Sequence, residues 1–210
     1  SYPNHSLPFV NNQDIVDGLA ITQKVATAIL QETGTPYKGV MYAGFMVTKD
    51  GIKLLEYNAR FGDPEAMNIL PLLKTDFVDL CFAIVNGTLE NIEVEFEHKA
   101  TVCKYVVPKG YGLPENHPDN SYTSKKLMIG DVGEANLYYA SVEEKEDGIY
   151  MSSSRAIGVV GISASIEEAQ IIAQQGVEAI GGEVAHRNDI GTTELIERRI
   201  THMQTIKGNL

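Results

Sequence analysis

No run of apolar residues in this sequence approaches the roughly 20 that a helix needs to cross a bilayer. The opening stretch Ser1–Phe9 has neither a basic start nor an apolar core, so no secretory signal is expected there. The chain also opens without Met, which leaves a processed protein and a fragment both open. Lys and Arg are outnumbered and do not cluster, and the net charge is −11. That excludes the basic face a nucleic-acid backbone requires. Small phosphorylated ligands need only a few donors and stay possible. The two cysteines, Cys81 and Cys103, stand far apart in apolar runs, with no second Cys or His at ligand spacing. The pattern excludes a zinc site and predicts two buried thiols in a reducing, cytoplasmic setting. No G-x-x-x-x-G-K-[ST] or G-x-G-x-x-G loop occurs. His5, His98, His117, His186 and His202 have no partner at useful spacing and receive no role.

What is present is an ordinary globular composition, 43% hydrophobic and 21% charged, in 210 residues that suffice for one or two domains. Ser1–Asn12 reads as an extended lead-in. Ile15, Leu19, Thr22, Ala26 and Ile29 recur at helical steps, and Gly34 with Pro36 marks the exit. Gly39–Thr48 and Ile52–Tyr57 form a predicted hairpin around Lys49-Asp50-Gly51. Helical runs follow at Ala66–Leu73 and Asp76–Val85, the second with Phe77, Leu80, Cys81 and Ile84 on one face.

Near Gly87–Glu97 the chain turns acidic and weakly patterned, which sets the domain boundary there, with domains at 1–93 and 94–210. Strands are predicted at Ala100–Val107, Lys126–Ile129, Ala135–Val142, Ile149–Met151 and Arg155–Ile162, with a Pro/Gly-rich loop over Pro108–Asn120. A helix starts at Ser165, where Glu168 completes a capping box, and ends at Gly181-Gly182; the last helix covers Thr192–Met203. The fold class is α+β.

Chemistry concentrates in Glu56–Glu65. Strand alternation puts Glu56 and Asn58 on one face, and a carboxylate with an amide oxygen suits Mg²⁺. If the strand persists, Arg60 follows on the same side as a clamp for phosphoryl oxygens. The same spacing fits the plain solvent face of a hairpin. Asp63-Pro64-Glu65 likewise has two readings, ligand contact or simple helix capping. In the second half, Ser152-Ser153-Ser154-Arg155 and Arg187-Asn188-Asp189 combine donors suited to phosphate, or are polar surface loops.

The run Arg60-Phe61-Gly62-Asp63-Pro64-Glu65-Ala66-Met67 resembles the signature of the glycinamide ribonucleotide synthetase (phosphoribosylamine–glycine ligase) family of ATP-grasp enzymes. Tyr37–Met46 and Leu70–Asp76 resemble its flanks, and Lys109–Gly112, Ser152–Gly158 and Arg187–Gly191 match more weakly. Serines stand where the family has glycines before Arg155. The resemblance implies the C-terminal half of an ATP-grasp domain, an antiparallel hairpin with helices, followed by a small α+β C-terminal domain. It implies ATP-dependent joining of glycine to 5-phosphoribosylamine through glycyl phosphate in purine biosynthesis. Glu56 and Asn58 would hold Mg²⁺ or Mn²⁺, and Arg60 would stabilise the transferring phosphoryl group. Gly62, Asp63 and Glu65, with Arg155, Arg187 and Asp189, would contact substrate or phosphate. The family's chain is longer and opens with an N-terminal half unmatched here, so this polypeptide alone is expected to be inactive unless a partner supplies that half. Two alternatives are another ATP-grasp carboxylate–amine ligase and a non-catalytic interaction remnant.

Overall fold

Helix α1, Asn12–Thr33, begins where Asn11 and Asp14 exchange side-chain-to-amide hydrogen bonds, a reciprocal cap that satisfies two otherwise orphaned donors. It ends at Gly34 in the left-handed region (φ 70°), which glycine adopts without strain. These details come from a computed structural model, which describes residues 7–114, 117 and 124–208. The predicted lead-in at Ser1–Asn12 and loop at Pro108–Asn120 therefore fall partly outside the described residues, as does His5.

After α1, strands β1 (Tyr42–Thr48) and β2 (Gly51–Asn58) form an antiparallel hairpin. Its turn closes at Gly51, whose φ of 89° requires glycine. The register shifts between Gly44 and Phe45, leaving Leu55 as an extra residue, so alternation is broken inside β2. The predicted start at Gly39 is three residues early. Helix α2 is a single short piece, Glu65–Ile69, followed by a 3-10 turn at Leu70–Leu72. Pro71 lacks the amide proton that a longer helix would use there. Helix α3, Phe77–Asn86, is capped by the Asp76 carboxylate on the amides of Val78 and Asp79 and stops at Gly87. Its predicted buried face is corrected: Phe77 is exposed and so is Cys81.

Beyond it lie β3 (Ala100–Pro108), the two-residue strands β4 (Lys125–Lys126) and β5 (Met128–Ile129), then β6 (Asn136–Tyr139), β7 (Val142–Lys145), β8 (Gly148–Met151) and β9 (Ile157–Ser163). Helix α4 covers Ile166–Glu178. Ser165 caps it through the Glu168 amide, but the Glu168 carboxylate takes the Ser163 hydroxyl, so only half of the predicted capping box forms. The helix also stops earlier than Gly181, because Ile180–Gly181 leaves it as strand β10 to pair with β5. Strand β11 (Val184–Ala185) and helix α5 (Thr193–Lys207) complete the order.

Within the described residues the chain divides into two compact units. The hairpin unit comprises the described residues of 7–66, 70–98 and 196–208; the sheet unit comprises Met67–Ile69 and the described residues of 99–195. The sheet unit is built on a four-stranded antiparallel sheet in the order β11-β3-β9-β6. Val106, Ile157, Val159 and Val177 are fully buried in its core. Helix α4 approaches β9 so closely that a Cβ on Gly161 would collide with the backbone of Ala169 and Ala173. In the hairpin unit, helix α5 returns to α1, and both carboxylate oxygens of Asp14 accept from the Lys207 ammonium.

Candidate active site

At the end of the hairpin, β2 delivers Glu56 and Asn58 side by side, with the Asn58 amide nitrogen 3.4 Å from Glu56 Oε1. This is the face sharing that strand alternation predicts past the Leu55 bulge. A half-turn of the Asn58 amide exchanges its nitrogen for its oxygen, so the pair can present two hard oxygen donors at one point. The pair fits an ion such as Mg²⁺, which takes few protein carboxylates and completes its shell with water and phosphate. Among the described residues no group of three or more His, Cys, Asp or Glu side chains could form a closed metal cage.

The strand ends at Asn58, so alternation does not carry to Arg60. Arg60 sits in the bend that follows, and its guanidinium donates to the Phe61 carbonyl at 2.6 Å. Gly62 is buried, and a Cβ there would meet the Glu65 carboxylate and the Tyr42 ring. Glycine at this point therefore lets Glu65 fold back over the loop. The Asp63–Pro64 peptide is cis. Pro64, not Asp63, occupies the N-cap position of α2, and no side chain caps that helix. The capping reading of Asp63 is thus corrected, and Glu65 stands in the first turn, where a carboxylate favours the helix dipole.

Sequence reasoning missed Tyr42. It pairs in register with Asn58, and its hydroxyl donates to Glu65 Oε1 at 2.9 Å. Burial, the hydrogen bond to Glu65, and the charges of Glu65 and Glu56 push its phenol up to about 12, so it stays a proton donor. Tyr42 thereby ties the Glu56–Asn58 pair to the loop Arg60–Glu65. Only the β1–β2 register reveals this, since the two residues lie on different strands.

In the sheet unit, the structure brings Arg155 and Arg187 to one cleft of about 360 Å³, with Asp189 joined to it through Arg187. Arg155 enters from the segment before β9 and stacks over the Tyr105 ring, 5.0 Å from its centre. Arg187 follows β11 and is held in a two-pronged pair with Asp189 at 3.0 and 2.8 Å. The Asp189 carboxylate raises the Arg187 guanidinium further, so it is a permanent cation. Tyr111 and His186 also line this cleft, and neither was assigned a role from the sequence, since only the folded chain brings them to Tyr105 and Arg155.

Two segments of the chain match family models. Residues 5–66 match the ATP-grasp (A) domain of phosphoribosylglycinamide synthetase, and residues 101–193 match its C domain. The chain belongs to the phosphoribosylglycinamide synthetase family. Among similar proteins, the phosphoribosylamine–glycine ligase of Methanococcoides burtonii is 50% identical over 201 residues, covering 96% of this chain and 45% of the relative. That of Methanocaldococcus jannaschii is 48% identical over 211 residues, covering 99% of this chain and 46% of the relative. The chain thus spans somewhat under half the length of these curated relatives. The crystal structure of the phosphoribosylamine–glycine ligase of Thermotoga maritima shares the fold, with a TM-score of 0.67 at 24% identity over 86% of this chain and 44% of that one. Within the synthetase family, the ATP-grasp match stops just beyond Glu65, so it contains the whole Glu56–Glu65 run. The C-domain match contains Arg155, Arg187 and Asp189. No helix of the described residues is long and apolar enough to cross a membrane.

Proposed function

We propose that this chain takes part in the ATP-dependent ligation of glycine to 5-phosphoribosylamine, in the cytoplasm, as a step of purine biosynthesis. The observation that carries the reading is the Glu56–Asn58 oxygen pair joined through Tyr42 to the Arg60–Glu65 loop. In the reaction a glycine carboxylate oxygen takes the terminal phosphoryl group of ATP and releases ADP. The amine nitrogen of phosphoribosylamine then attacks the carbonyl carbon, phosphate leaves, and glycinamide ribonucleotide results.

Each residue has a role in this scheme. Glu56 and Asn58 would hold Mg²⁺ or Mn²⁺, which offsets negative charge on the nucleotide phosphates when bound. Arg60 turns from the Phe61 carbonyl to the transferring phosphoryl oxygens, stabilising charge that develops there. Gly62 gives a ligand close approach to the backbone. Asp63 and Glu65 orient the amines of the two substrates, with Tyr42 fixing the Glu65 carboxylate. In the sheet unit, Arg155 and Arg187 offer fixed cations to a phosphate, and Asp189 holds Arg187 in place.

The same proposal includes the domain division at 1–93 and 94–210; the two family segments lie on either side of it and support it. It also includes the partner: an N-terminal half, in the same chain or a separate one, supplying the rest of the nucleotide site. The length of the relatives supports this. The test is to supply that half to the chain and follow ATP-dependent phosphate release with glycine and phosphoribosylamine. Turnover is expected only with both halves and with glycine, and Glu56→Gln should lower kcat by about 10²-fold. Turnover by the chain alone, or equal turnover with another carboxylate, would overturn the proposal.

A further inference from the structure

Strand β3 carries one residue that its pattern does not predict. Val102 and Val106 face helix α4 and are buried, and between them on the same face stands Lys104, with no solvent exposure at all. A buried ammonium is costly unless its protons are all directed to acceptors. Lys104 Nζ donates to Gln174 Oε1 on α4 at 2.6 Å and to the backbone carbonyl of Asn188 at 2.9 Å. Both acceptors are neutral. The contacts therefore favour direction over charge neutralisation.

The place of the Asn188 carbonyl explains the arrangement. Strand β11 pairs with β3 for only two residues, Val184 with Pro108 and Ala185 with Val107. Beyond Ala185 that ladder gives the backbone of 186–190 no further partner, and a carbonyl left there needs a donor. Lys104 supplies it. Gln174 reinforces the anchor from the helix side, giving its amide protons to Asn188 Oδ1 at 3.3 Å and Glu178 Oε1 at 2.7 Å, with His186 Nε2 3.4 Å away. Gly191 closes the segment against the same face, where a Cβ would strike Val102. The anchored segment includes His186, Arg187 and Ile190, three of the residues that line the Arg155 cleft.

We propose that Lys104 is a positioning residue for this cleft: it holds segment 186–190 by the Asn188 carbonyl and so fixes Arg187 and His186 in the cleft wall. The use of that cleft for a phosphate rests on the function proposed above, whereas the anchoring does not. Burial lowers the Lys104 ammonium from its ordinary range while Asp189 and Glu178 oppose the shift, and His186 is the other titratable group facing the network.

The test uses the 210-residue chain with Lys104→Met, which keeps an unbranched side chain one atom shorter and removes its donors. Backbone hydrogen exchange should accelerate by about tenfold or more at residues 186–191, while β3, β9 and α4 keep their protection. Titration with ribose 5-phosphate should show weaker binding by about fivefold or more, through the loss of a fixed Arg187. Unchanged exchange at 186–191, or acceleration spread evenly over the sheet and α4, would overturn the proposal. If the variant does not fold, Gln174→Met removes the anchor from the helix side with the same two outcomes. Failure of the unaltered chain to bind ribose 5-phosphate would sink the phosphate reading of the cleft, and the exchange result would still decide the role of Lys104.

Discussion

In the sheet unit Val106, Ala156, Ile157, Val159 and Val177 are closed off completely, whereas in the hairpin unit Leu19, Leu55, Phe82 and Val85 are each more than 60% exposed. The two regions have opposite relations to water. The sheet unit covers both faces of β3 and β9 with its own residues: α4 on one, and on the other Met67, whose sulfur lies against Gly158. The hairpin unit has a two-stranded sheet, and its buried apolar side chains among the described residues are Leu72 and Ala83. Two strands with so little cover are marginal in isolation. The proposed metal pair and the family signature sit in that less covered unit.

The comparison can be broken most forcefully at Gly161. Gly161→Val would drive a side chain into the α4 backbone, and a loss of about 3 kcal/mol or more is expected in chemical denaturation, confined to the sheet unit. Next in size is the Lys207–Asp14 pair, an enclosed ion pair of the hairpin unit with side chains 15% and 9% exposed. Lys207→Met should remove about 1–3 kcal/mol at neutral pH. Burial pushes the Asp14 carboxyl up, but Lys207 and the Asn11 amide outweigh it and hold it below its ordinary value. Its contribution is therefore present above about pH 4 and lost as the pH falls through the depressed value. Acid titration of the variant should lack that loss.

Tyr42→Phe is smaller, about 1 kcal/mol, because one hydrogen bond to Glu65 disappears. The Tyr42 phenol is raised from 10 to about 12 by burial, by the bond to Glu65 and by the nearby carboxylates. Its stabilisation is therefore complete below pH 10 and lost as the pH rises through about 12. The gap between the two proteins in urea melts should close over that interval. The smallest effect is expected from Phe82→Ser on α3, within about 0.5 kcal/mol, since the ring is already 63% exposed. A large loss there would show that the hairpin unit is already covered in solution, and the contrast between the units would fall.

Much of this fold was legible where one residue decides one event. Gly34, Gly51 and Gly87 end a helix, a turn and a helix because each adopts positive φ, and Asp76 caps α3 with its own carboxylate. Strands β10 and β11 were not legible, since two residues carry no period to read. At the candidate site, Glu56 and Asn58 could be paired by alternation, but Tyr42 required the hairpin register. The meeting of Arg155 with Arg187 and His186 required two separate segments to converge. Lys104 was hidden for another reason: a lysine inside a valine strand reads as an edge charge until the chain has brought Gln174 and Asn188 to it.

The return of α5 to α1 has a consequence for biosynthesis. Asp14 is translated before the strands of the sheet unit and Lys207 only after every one of them has been made. The sheet unit can acquire its core while synthesis continues, as contiguous domains do. The hairpin unit holds α1 on the β1–β2 hairpin through contacts such as Tyr57 to Thr22, but the α5 side of α1 must wait until α5 leaves the ribosome, so its nascent apolar side chains are the ones a chaperone would meet.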